Sequence, residues 1–163
     1  MAYKELLPNE DWAILQSSIF SVFKMIAGAD GKIDKKEKDA IEVIIKNSNK
    51  LNNSLAKEIL QSVSNGDELS NIFDTQKQPA KEILRKTAFI LDNKIDPKDA
   101  LSFKKHLIAI GVFIANASGS LFGYKISYDE MDAINEVGRC LNIAVKDLEQ
   151  TNIIMDIINS IEE

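Results

Sequence analysis

Residues Ala27 to Glu37, AGADGKIDKKE, close one apolar stretch, turn at Asp30-Gly31 and open a second helix-forming stretch at Asp34. Residues Ala115 to Glu130 repeat the plan: an apolar stretch ending in small residues, a turn at Ser118-Gly119, and Lys125-Ile126-Ser127 leading to Glu130. Two such units in one chain limit the fold to helices that pack around two helix-loop-helix pairs. No run with strand periodicity lies between them, which argues against Rossmann-type nucleotide binding and against partners that add a strand. The expected fold is all-α, a single domain of about seven to eight helices built on the two pseudo-repeated units.

Asp30, Asp34 and Glu37 are hard oxygen donors of the kind calcium and magnesium prefer. With Gly31 and Ile33 they match the back half of a calcium-binding helix-loop-helix loop. Its front-half oxygen positions fall on Ile26 and Gly28. A second reading needs no metal. Asp34-x-x-Glu37 and Ser127-x-x-Glu130 are capping boxes, and Gly31 serves a turn that Asp30 stabilises through its own backbone. Both readings stand at this level, and Asp30 is the residue that capping does not use.

An apolar helix ending in Ala27-Gly28-Ala29-Asp30-Gly31-Lys32-Ile33, followed by a helix carrying Asp34 and Glu37, resembles the tellurite-resistance TerB-like domain family. The resemblance covers roughly residues 10 to 150. It implies an all-helical bacterial, stress-associated domain, noncatalytic, whose acidic loops gather at a site for a divalent cation (calcium, magnesium or manganese). Transferred to this chain, the metal residues would be Asp30, Asp34, Glu37 and Glu130. The second unit departs from the pattern. Ser118 and Ser127 stand where the first has Asp30 and Asp34, and residues Ser120 to Tyr124 are inserted.

A chain of 163 residues supports one full core. Its net charge of −5 argues against nonspecific nucleic-acid binding, leaving protein, metal or small molecule as partners. The single Cys140 excludes an internal disulfide, and with the single His106 it cannot build a zinc site of the usual type. Cys140, between Val137 and Leu141, reads as a buried apolar residue more readily than as a reactive thiol. With no phosphate-binding glycine loop and no nucleophile elbow, an enzyme would depend on carboxylates alone. The competing functions are a TerB-like cation-binding domain, a helical protein-interaction adaptor with a purely structural loop, and, third, a small carboxylate enzyme. The N-terminus MAYKELLPNEDW lacks an apolar signal region, and the longest apolar run, Leu107 to Ala117, is too short to span a bilayer. A cytoplasmic protein without a membrane span is expected.

Eight helical segments follow from apolar spacing and caps. They start near Asn9, Asp34, Ser54, Asp67, Gln78-Pro79, Asp96-Pro97, Ser127 and Val145. Asn9 and Ser54 are read as N-caps, and the Asn9 and Asp96 helices should cross at the centre, helped by Gly28 and Gly111. Met131, Ile134, Val137 and Leu141 are expected to face inward, with a turn at Asn142. Leu121, Phe122 and Tyr124 either fold back as a plug or form a partner patch.

Overall fold

The computed structural model describes residues 2–27, 35–51, 53–63, 79–118 and 128–143. Among the described residues there are seven α-helices and no strand. They are α1 (Tyr3–Leu6), α2 (Asn9–Ala27), α3 (Lys35–Lys46), α4 (Ser54–Ser62), α5 (Ala80–Lys94), α6 (Pro97–Ser118) and α7 (Tyr128–Cys140), with a 3₁₀ turn at Ser48–Lys50. The expected helices at Asp67 and Val145 lie outside the described residues, as do Gly28, Ser127 and the segment Leu121, Phe122 and Tyr124.

Two helices occupy the centre. α2 packs most extensively on α5, and also on α4, α6 and α7; α6 packs on α2, α3, α4, α5 and α7. Apolar spacing alone gives α2 one inward stripe, Trp12, Leu15, Ile19, Val22, Phe23 and Ile26, yet every residue from Ser18 to Phe23 is buried, because neighbours surround this part of the helix. The buried Ser18 hydroxyl donates to the Leu15 carbonyl at 2.6 Å, which satisfies it without a partner from another helix. Phe103, Leu107, Ile108, Ile110 and Ile114 put the complementary surface of α6 into the same core. At the crossing, a Cβ added to Gly111 would lie 3.3 Å from Ile26 Cγ1 and 3.3 Å from Val22 Cγ1, so glycine sets how closely α2 and α6 approach.

The two sequence units interlock. The first helix of each, α2 or α6, packs on the second helix of the other, α7 or α3, and α2 and α6 pack on each other. The expected central crossing of the Asn9 and Asp96 helices is therefore present.

Local signals explain most boundaries. Pro97 occupies the first position of α6, where its missing N–H is harmless, and the Asp96 carbonyl accepts from Ala100 N–H at 2.8 Å. Asn142 has φ 62°, and Asn142 and Ile143 donate to Arg139 and Gly138 at 3.2 and 2.9 Å, the paired bonds of a left-handed helix stop. Three expectations need correction. Asn53, not Ser54, caps α4, its side-chain oxygen accepting from Ala56 N–H at 2.7 Å. Asn9 lies inside α2, whose first bond runs from Trp12 N–H to the Pro8 carbonyl at 3.0 Å. Met131 is 42% exposed, while Ile134, Val137 and Leu141 are buried, so the inward stripe begins a turn later.

Candidate functional site

The carboxylates expected to hold a cation belong, in sequence, to the loop and second-helix start of each unit. Asp30 and Asp34 lie outside the described residues, and so do the side chains of Glu37 and Glu130. Their helices can be placed. Glu37 is the third residue of α3 and Glu130 the third of α7, so the two acids occupy equivalent first-turn positions in the two units. At that position a carboxylate is favoured by the helix dipole and can bond backwards to the cap. α3 turns Lys35, Lys36 and Lys38 to solvent and buries Ala40, Ile41, Ile44 and Ile45. Among the described residues no group of three His, Cys, Asp or Glu side chains is placed to hold a metal ion.

The residues most often recruited for chemistry are built into the frame. His106 is 2% exposed on α6, and its Nδ1 lies 2.8 Å from the Ser102 carbonyl, an arrangement that fixes Nδ1–H as the donor. Cys140 is buried, and loss of solvation, reinforced by the Glu136 charge, pushes its thiol pKa up. That is the opposite of what a nucleophilic thiol requires. Lys104, only 7% exposed in its side chain, pairs with Asp92 at 2.7 Å across α5 and α6, so its charge is matched rather than presented.

A polar cluster that the sequence did not indicate binds α1 to the body. The Glu58 carboxylate accepts from the backbone N–H groups of Tyr3 at 3.0 Å and Lys4 at 2.9 Å, the first amides of α1. The Tyr3 hydroxyl donates to Asp99, and Asn53 Nδ2 donates to the Asp99 carbonyl at 3.4 Å. Partial burial, with the Asp99 hydrogen bond and the charges of Asp99, Asp96 and Glu58, raises the Tyr3 pKa to about 12. Elsewhere Glu136 of α7 takes Arg139 at 2.9 Å and Lys81 of α5 at 3.6 Å. The Arg139 hydrogen bond, with the Lys81 charge beside it, holds that carboxyl below its ordinary value. Apart from the Arg139–Glu136 pair, which lies within α7, these contacts join separate elements of the fold.

Among the described residues no helix is long and apolar enough to cross a membrane. Compared with protein-family models, curated proteins and solved structures, the chain matches none.

Proposed function

We propose that the protein is a noncatalytic TerB-like helical domain, stress-associated in role, that takes a divalent cation through the loop carrying Asp30, Asp34 and Glu37, with Glu130 from the second unit. The observation that supports this reading is the reciprocal packing of α2 on α7 and α3 on α6, which makes the two helix-loop-helix units parts of one assembly. Glu37 and Glu130 stand at matching positions in that assembly. Asp30 is the carboxylate that capping leaves available, so it is assigned the first contact with the ion. Four carboxylates are fewer than the about six to eight oxygens calcium takes, so water completes the shell and affinity is modest.

Calorimetric titration with calcium, magnesium and manganese, on the native chain and on Asp30→Ala, tests the assignment. Binding that disappears in Asp30→Ala supports it, and binding that survives unchanged places the ion elsewhere. The absence of heat with all three ions at millimolar concentration favours the helical adaptor, in which the loop is structural and a protein partner is the ligand.

A further inference from the structure

α2 and α5 run antiparallel, since Asp11 near the start of α2 is ion-paired with Lys94 at the end of α5. Between them opens a groove of about 420 Å³ lined by Glu10, Asp11, Ile14, Lys86, Phe89 and Ile90. Phe89 stands out in this groove. The inward stripe of α5 is Ile83, Leu84, Thr87, Ala88, Ile90 and Leu91, and Phe89 falls outside it at 64% exposure, the highest of any large hydrophobic residue described. Leaving such a ring in water forgoes up to about 2 kcal/mol that a ligand covering it would recover.

Charge narrows what that ligand can be. Asp11 is matched by Lys94, and Lys86 by Glu82 at 3.6 Å one turn away. Glu10 is exposed and is the one charged lining residue without an ion pair among the described residues. Asp11 and Lys86 being each matched within the protein, an acidic segment entering here would meet the unmatched Glu10 with like charge, and a purely apolar one would desolvate Glu10 without compensation. A basic side chain beside an apolar one satisfies both constraints. The lining stretch of α2, Glu10 to Ile14, is about one helical turn, and the volume suits one apolar side chain rather than a whole helix face.

From this geometry we infer that the α2–α5 groove is a docking site for a basic amphipathic segment of another protein. One apolar side chain of that segment packs against Phe89, Ile14 and Ile90, and a neighbouring lysine or arginine faces Glu10. The site is independent of the proposed cation loop, since none of its lining residues belongs to that loop.

The test uses the full chain with two labelled probes, an amphipathic leucine–lysine peptide and a leucine–glutamate peptide of the same length. Fluorescence anisotropy measures affinity, and amide chemical shifts in nitrogen-labelled protein locate binding. Expected is binding of the leucine–lysine peptide alone, with shifts centred on Ile14, Phe89 and Ile90. Phe89→Ala should weaken it about tenfold, the loss that follows from truncating a central contact. Glu10→Gln should weaken it less and reduce its salt dependence. Both substitutions are at exposed positions, and unchanged thermal unfolding verifies that the variants fold. Equal binding of the two peptides, shifts confined to another face, or affinity indifferent to Phe89→Ala overturns the inference. So does concentration-dependent self-association that moves the Phe89 resonance without peptide, which would make a second copy of the chain the occupant.

Discussion

Replacing Gly111 by alanine sets two effects of opposite sign against each other. The new Cβ would lie 3.3 Å from Cγ1 of both Ile26 and Val22, tighter than side chains ordinarily pack. Both neighbours are fully buried, and both are β-branched, so neither can rotate away cheaply and α2 and α6 must part by a few tenths of an ångström. Overpacking of this kind costs about 1–3 kcal/mol, whereas alanine in place of glycine inside a helix returns about 1 kcal/mol. The expected net loss is about 1 kcal/mol, which lowers Tm by about 2–4 °C in a chain of this length. Urea unfolding followed by circular dichroism measures it. Val22→Ala alone opens a cavity and costs about 2 kcal/mol, but in the Gly111→Ala background the added methyl fills part of that space. The double-mutant cycle should therefore show a favourable coupling of about 1 kcal/mol. A Gly111→Ala variant stabilised by its full helix propensity, with Val22→Ala contributing additively, would refute the close crossing of α2 and α6.

Asn53→Ala should destabilise by about 1 kcal/mol through loss of the α4 cap, while Asn53→Asp, which keeps the acceptor, should lose less; chemical denaturation distinguishes them. The Tyr3 pKa is raised from 10.0 to about 12, so folding favours the protonated phenol. Its contribution is complete below about pH 10 and is lost as pH rises through about 12. The stability difference between the native chain and Tyr3→Phe should accordingly shrink across that interval in urea titrations. Cys140, buried and with its pKa raised, should react with a thiol reagent only after unfolding, so modification in native buffer should be slow and should accelerate sharply in denaturant.

Helix positions were legible because burial imposes a period that local sequence carries. The stripe Ile83, Leu84, Thr87, Ile90 and Leu91 is buried as its spacing implies, and Asp96-Pro97 and Asn142 mark boundaries through steric rules that act within a few residues. The failures have a common cause. Asn53 and Ser54 are adjacent residues that can both cap, and the choice depends on the burial of Asn53 and its bond to Asp99, 46 positions away. α1 is only four residues long, too short to be stable by itself, and it is held by Glu58 and Asp99 from distant parts of the chain. Met131 obeys the period of α7, but the tertiary surface covers Ile134 and not the turn before it. For the candidate site, residue types were readable as oxygen donors. Whether four carboxylates converge is a property of loop conformation that no periodicity encodes. Phe89 shows the same limit in reverse, since its exposure depends on what the packing of α2 on α5 leaves uncovered.

The reciprocal packing changes what the repeat means physically. In a tandem of independent units each stripe would be buried within its own unit, and either half could fold alone. Here α3 packs mainly on α6, and α2 on α5, α6 and α7, so each unit completes its core with helices from the other half of the chain. The long loop closures this requires are repaid only when both halves are present, which makes folding cooperative across the chain. Glu37 and Glu130 begin helices that lie against the opposite unit's central helix, so a change at either loop bears on packing in both halves. A ligand bound at either loop would therefore raise the stability of the whole chain by mass action rather than that of a local segment.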